Sequence, residues 1–130
     1  MSERDTGILS IRGGILGEIY PESSSEEIFQ NKTLRPILKL QNDLFIRSFI
    51  NYVNKQKNQF YTLSKEKKLL YIENAIHKDI KFRNALKGMI IALFTIEEFN
   101  QYIQNSSSLN KRMMNLLIER LKDNVQLIIN

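Results

Sequence analysis

Few side chains in this sequence are suited to catalysis or metal binding. It contains one histidine, His77, and no cysteine, which excludes disulfides, thiolate metal ligands and cysteine nucleophiles. Glu73 lies four residues before His77, a spacing that puts both side chains on one face of a helix. A metal site with a single imidazole would need several carboxylates to complete it. We therefore expect His77 to be a structural or surface residue, and we predict no metal and no cofactor.

The sequence also lacks the common motifs of catalytic and phosphate-binding sites. The sequence has no Gly-x-Ser-x-Gly elbow and no Gly-x-x-x-x-Gly-Lys-Ser/Thr loop. The glycines of residues 13–17 lack the spacing of a nucleotide-binding loop and indicate flexible backbone. Glu97 and Glu98 fall in the first turn of a predicted helix, where the helix dipole favours acids without a catalytic role. The residues favour a non-enzymatic protein, with no catalytic residue and no small-molecule substrate to name.

Basic residues form the first candidate binding surface. Residues 55–87 carry nine Lys or Arg against three acids, interleaved with Tyr61 and Tyr71. Such a stretch attracts a phosphate backbone through counterion release. One interpretation is a helix-turn-helix over residues 65–94, with its turn at 78–79. The candidate contacts for nucleic acid or another anion are Lys78, Lys81, Arg83 and Lys87.

The last predicted helix supplies a second candidate surface. Its main apolar stripe leaves Met114, Ile118 and Leu127 to one side. If these side chains were exposed, they would form an apolar patch for a protein partner or for a second copy of the chain.

Composition and apolar spacing predict the fold that positions these residues. The 130 residues are 42% hydrophobic with only 5 Gly and 2 Pro, enough for one core and too few turn residues for an all-β protein. Apolar residues recur at steps of three and four, which indicates helices. We predict an all-α, single-domain bundle of about five or six helices over residues 24–130. Residues 1–23 are predicted to be a flexible N-terminal arm.

Capping signals place the helix boundaries. A serine at 23 or 24 starts a short helix over 25–32, and a long helix follows over 34–55, with a break or kink near Pro36. The polar run 55–59 predicts a loop. Thr95 and Glu98 form a capping box, and the helix they open should bury Ile96, Phe99 and Ile103. The remaining predicted helices are 65–78 (capped by Ser64), 80–94 (capped by Asp79), 95–104 and 109–127.

Charge is unevenly distributed along the chain. The net charge is +5. Residues 1–30 hold two basic residues and six acids, a balance of −4, whereas residues 31–130 hold 17 basic residues and eight acids, a balance of +9. No apolar run reaches the roughly 18 residues needed to span a bilayer. The acidic residues near Met1 do not predict a secretory signal, so we expect a cytoplasmic protein.

Three stretches carry a resemblance to other sequences: Leu34–Asn42, Asp79–Met89 and Asn110–Asn115. They resemble an uncharacterised family of short helical bacterial proteins, and the resemblance covers roughly residues 26–126. Some members of that family carry the label "glyoxalase", which implies a βαβββ metal-dependent fold with His and Glu ligands. A single histidine and helical spacing throughout conflict with that implication, so no site residue is carried over from the label.

Three functions remain as hypotheses. The leading one is a non-enzymatic interaction or assembly module that binds another protein or itself. Its acidic arm would fold back on the basic body and regulate access to it. The alternatives are a small basic nucleic-acid-binding protein and, disfavoured by the residues, an enzyme of the labelled kind.

Overall fold

The computed structural model describes residues 1–57 and 59–130, and within those ranges it contains helices and no strand. Asn58, in the predicted polar loop, lies outside the described residues. The all-α, single-domain prediction is confirmed. The helices are α1 (Glu3–Arg12), α2 (Ser25–Phe29), α3 (Arg35–Leu40), α4 (Asn42–Lys55), α5 (Lys65–Lys78), α6 (Ile80–Ile91), α7 (Ile96–Gln104) and α8 (Ser106–Asp123). Shorter elements are a π-helical turn over Gln30–Leu34 and 3-10 turns over Gln59–Thr62 and Val125–Leu127.

The predicted caps begin their helices as expected. Ser64 and Asp79 accept hydrogen bonds from the first turns of α5 and α6. At α7 the capping box is complete, because the Thr95 N–H donates to Glu98 Oε1 at 2.8 Å and the Glu98 N–H donates to Thr95 Oγ1 at 3.2 Å. Each cap satisfies backbone N–H groups that have no partner within the helix.

The long helix predicted over 34–55 is divided in two. Its first part, α3, continues from α2 through the π-helical turn with no break at Pro36, since Leu34 and Arg35 both keep helical dihedral angles. Pro36 lacks the N–H that would bond four residues back, and the Lys32 carbonyl accepts instead from Arg12 Nη2 at 3.3 Å. The helix breaks at Gln41, which leaves the α region with φ −90° and ψ 5°. The side-chain amide of Gln41 donates to the carbonyl of Met89 at 3.3 Å. The break therefore ties this corner of the bundle to α6.

The core is built around α8, which packs against α4, α5, α6, α7 and the π-helical turn. Aromatic rings fill one end of it: Phe49 packs edge-on against Phe60 with centroids 5.7 Å apart, and Tyr52 stacks on Phe82 at 4.0 Å. Such pairs add stability beyond the area they bury. The largest fully buried side chains are Phe45, Phe49, Phe60, Phe94, Leu34, Ile37, Leu38, Ile72, Ile76, Leu86, Ile90 and Met113.

The N-terminal segment differs from the flexible arm that the sequence predicted. Residues 3–12 form α1, which Ser2 caps at its start and Gly13 ends with φ 78°. The residues of α1 that are buried are polar, Asp5 and Arg12. Apolar periodicity cannot detect a helix that docks through charged side chains, and this is why the pattern failed here.

Candidate interaction surfaces

A buried ion pair fastens α1 to α7. Arg12 donates from Nη1 to Glu98 Oε1 at 2.6 Å and from Nη2 to Oε2 at 2.8 Å, and Thr33 donates its hydroxyl to the same carboxylate at 2.6 Å. Burial by itself would raise the pKa of Glu98. The hydrogen bonds from Arg12, Thr33 and the Thr95 N–H, with the charge of Arg12, outweigh burial and hold that pKa below its usual value. Glu98 is therefore anionic and fixed in position.

The arm also completes the corner between α6 and α7. Arg4 donates to the carbonyls of Phe94 and Ala92, each at 2.9 Å, and Asp5 accepts from the Ile96 N–H at 3.1 Å. The end of one helix leaves free carbonyls and the start of the next leaves free N–H groups, and the arm supplies both kinds of partner. The acidic surplus of the arm plays little part, since these contacts are made with backbone groups and Glu98 rather than with lysines.

This attachment turns the apolar side of α7 outward. Glu98 faces Arg12, and Tyr102 is buried against Phe94 with ring centroids 5.6 Å apart. The stripe predicted as the inner face, Ile96, Phe99 and Ile103, is instead 57%, 41% and 55% exposed. The prediction was wrong here because the capping-box carboxylate has a buried partner that sequence spacing does not reveal. We call these three side chains the α7 stripe.

The α7 stripe lies in the least basic part of the body. Residues 88–110 contain no Lys or Arg. The exposed side chains between and beside the stripe residues include the amides of Asn100 and Gln104 and the carboxylate of Glu97. Large apolar residues on one exposed helix face, bordered by polar groups, are typical of a protein-docking surface.

Two of the four predicted anion contacts lie in one cleft of about 230 Å³ between α5, α6 and α8. These are Arg83 and Lys87, whereas Lys78 and Lys81 line two other depressions, each of which also contains Asp79. The sequence did not predict that α8 would add Lys111 here, since the packing of α6 against α8 brings them together. We call this the basic cleft; its lining is His77, Arg83, Lys87, Asn110, Lys111, Met114 and Asn115.

The basic cleft holds like charges close together. Arg83 and Lys87 are half-buried and four residues apart on α6, a spacing at which like charges cost about 0.2–0.5 kcal/mol. Arg83 is oriented by a hydrogen bond from Nη1 to the His77 carbonyl at 3.0 Å. No carboxylate in the described part of the chain lines the cleft. The nearby Glu73 instead pairs with Lys122, Oε2 to Nζ at 3.3 Å.

The connection between α5 and α6 is shorter than a helix-turn-helix requires. A single residue, Asp79, separates the two helices, whereas that motif joins its helices by three or four residues. Tyr52 donates its hydroxyl to Asp79 Oδ2 at 3.0 Å and holds the corner closed. Burial, followed by the bond to Asp79 and its charge, raises the pKa of Tyr52 to about 12. Any binding of nucleic acid by this region would therefore use a surface other than an inserted recognition helix.

The predicted patch on α8 is not a surface. Met114 and Ile118 are only 6% and 5% exposed and belong to the core. Helices pack around α8 on several sides, so residues beside its main stripe are buried as well. Leu127, beyond the end of α8, is exposed. The predicted patch of Met114, Ile118 and Leu127 is therefore wrong for the first two residues, and Leu127 alone is exposed as the prediction requires.

Two further findings concern metals and membranes. Across residues 1–57 and 59–130, no three His, Asp or Glu side chains lie close enough together to hold a metal ion. Among those same residues, no helix combines the length and the apolar character that crossing a bilayer requires.

Comparison with protein-family models, with curated proteins and with solved structures finds no match to this chain. Function must therefore be inferred from the two surfaces themselves, the α7 stripe and the basic cleft. They lie on different elements and differ in chemistry, since one is apolar and lacks Lys and Arg, whereas the other is cationic.

Proposed function

We propose that this protein is a non-enzymatic interaction module that associates with a second copy of itself through the α7 stripe. The observation that supports this most directly is the outward orientation of Ile96, Phe99 and Ile103 on a helix whose charged Glu98 faces inward. Ordinary packing of an amphipathic helix would give the reverse arrangement. A helix fixed with its apolar side in solvent is suited to an external partner.

Charge favours a second copy as that partner. All 17 basic residues of the body lie outside residues 88–110. Two copies that approached through most other faces would bring cations together, and like-charge contacts oppose association. At the α7 stripe two copies meet without that repulsion.

The spacing of the stripe also suits two-fold symmetry. Its order is Ile, then Phe three residues later, then Ile four residues later. In an antiparallel pair of α7 helices, Ile96 of one copy would face Ile103 of the other, and the two Phe99 rings would meet near the axis. The same patch on each copy then covers itself, which is the requirement for a closed dimer.

The expected affinity is low. Covering the exposed remainder of each stripe residue is worth roughly 1–1.5 kcal/mol, so both copies together gain about 6–9 kcal/mol. Lost translational and rotational freedom costs at least about 4 kcal/mol. At the upper end of the gain about 5 kcal/mol remains, which corresponds to a Kd of roughly 0.2 mM, and this is the affinity that we expect; at the lower end only about 2 kcal/mol remains, a Kd of tens of millimolar. Association should therefore become visible only at high protein concentration.

Sedimentation velocity over a wide concentration range tests the proposal. Ile103→Lys should abolish concentration-dependent dimerisation, because it places a cation against the apolar side chain of Ile96 of the other copy. Leu70→Lys is the matched control: Leu70 is 56% exposed on α5 and should leave the dimer intact. A wild-type protein that stays monomeric at millimolar concentration, or an Ile103→Lys variant that still dimerises, would refute self-association through this stripe.

A further inference from the structure

We infer that the basic cleft binds a phosphate group of a nucleic-acid backbone. The cleft gathers Arg83, Lys87 and Lys111 from two helices, with His77 at the end of a third. In the described structure none of these three cations forms an ion pair with a carboxylate. An external anion would supply the charge that the chain does not.

The lack of acidic residues distinguishes the basic cleft from four other clefts of the molecule. Four other clefts of the molecule also contain Lys or Arg, and each includes at least one carboxylate. One of them pairs two arginines, Arg35 and Arg120, with Glu119 and Asp123. The cations of those clefts can be balanced within the chain, whereas those of the basic cleft are not.

An uncharged hydrogen-bond donor in the cleft, the side-chain amide of Asn110, also favours the binding of an anion. Asn110 accepts a hydrogen bond at Oδ1 from the hydroxyl of Tyr102. This bond occupies the amide oxygen and fixes the side chain, so Nδ2 remains as a donor. Within residues 1–57 and 59–130, Nδ2 has no protein acceptor. Phosphate oxygens accept from amide N–H₂ as well as from guanidinium and ammonium groups.

The surroundings favour a chain of phosphates over a single free one. Residues 55–87 hold nine Lys or Arg against three acids, and the exposed Lys78 directly follows His77, so a polyanion seated in the cleft lies in a wider field of positive charge. A free phosphate would use only the cleft, whereas a nucleic-acid backbone also gains from this surrounding charge. Each neutralised phosphate adds to the salt dependence of binding.

Fluorescence anisotropy with a labelled 20-nucleotide single strand of mixed sequence tests the inference. The triple variant Arg83→Gln/Lys87→Gln/Lys111→Gln should bind at least tenfold more weakly, and the slope of log affinity against log salt should fall by about 2. The control triple Arg47→Gln/Lys65→Gln/Lys67→Gln removes the same charge from exposed positions elsewhere. It should weaken binding less than threefold. Equal losses in both variants, with unchanged helical content by circular dichroism, would overturn the cleft as a site.

Two further measurements distinguish the source of the anion. Titration of inorganic phosphate into ¹⁵N-labelled protein should shift amide resonances around Arg83 and Asn110, and those shifts should disappear in the cleft variant. An oligonucleotide that binds no more tightly than inorganic phosphate would refute the proposal that the cleft binds a nucleic-acid backbone. Competition by poly-glutamate at equal charge, as effective as the oligonucleotide, would refute phosphate recognition.

This inference is independent of self-association. A monomeric protein that binds the oligonucleotide would leave the cleft in place and refute only the dimer. A protein that dimerises but does not bind the oligonucleotide would refute the cleft as a site and leave the dimer in place.

Discussion

Replacing Glu98 by Gln removes the charge at the centre of the contact between α1 and α7 while keeping the shape of the side chain. Its partner Arg12 has a side chain only 2% exposed. Glutamine has one acceptor oxygen where glutamate has two, so it cannot satisfy Arg12 and Thr33 together in the observed geometry. The guanidinium would be left buried without a counter-charge.

The expected loss is about 3 kcal/mol in the free energy of unfolding. Breaking a buried pair by removing one partner costs roughly 3–5 kcal/mol. The lower end applies because glutamine keeps one acceptor. For a chain of this length, that loss lowers Tm by about 10 °C. Arg12→Met should cost less, since Glu98 keeps its bonds from Thr33 and Thr95.

Urea unfolding followed by circular dichroism, on both single variants and on Arg12→Met/Glu98→Gln, measures the effect. The double variant should be less destabilised than the sum of the two, because it removes both buried charges. Hydrogen exchange should show the loss of protection in α1 and in the first turn of α7. A change below 1 kcal/mol in Glu98→Gln, or strict additivity, would refute a tightly coupled buried pair.

Two other predictions follow from the same structure. The folded-state pKa of Glu98 lies below its unfolded value, so its stabilisation is fully present above the unfolded pKa of about 4.3 and is lost as pH falls through the folded one; the difference in unfolding free energy between wild type and Glu98→Gln should shrink below pH 4. Gly17→Ala should destabilise the protein, because Gly17 has φ +95° and a Cβ there would lie 2.8 Å from the Asn31 side chain. Urea unfolding measures this loss of stability. Gly14→Ala is the control, because a Cβ at Gly14 would meet open space.

Helix boundaries were largely predictable because they depend on neighbouring residues. Ser64 and Asp79 cap their helices with donors three residues away, and α5 begins and ends as the pattern predicted. The π-helical turn and the break at Gln41 were not predictable, because the amide of Gln41 finds its partner on Met89, 48 residues away.

The candidate sites were predicted less well, because each depends on contacts between distant residues. The orientation of α7 is set by Arg12, 86 residues before Glu98. The basic cleft contains Lys111 only because α6 and α8 pack together. Arg83 and Lys87 were identified from charge alone, since two cations on one helix face can be read without the tertiary fold. Met114 was misplaced because a second apolar face on a helix does not reveal whether another helix covers it.

The attachment of α1 has a consequence for the order of folding. Several of its hydrogen bonds reach carbonyls and a carboxylate between 81 and 90 residues further along the chain, whereas Arg12 also donates to the Lys32 carbonyl, 20 residues away. During synthesis α1 leaves the ribosome well before α6 and α7, so its docking site is not complete until those helices have been made. A helix synthesised early thus takes its final place late, and until then its polar groups are hydrated by water.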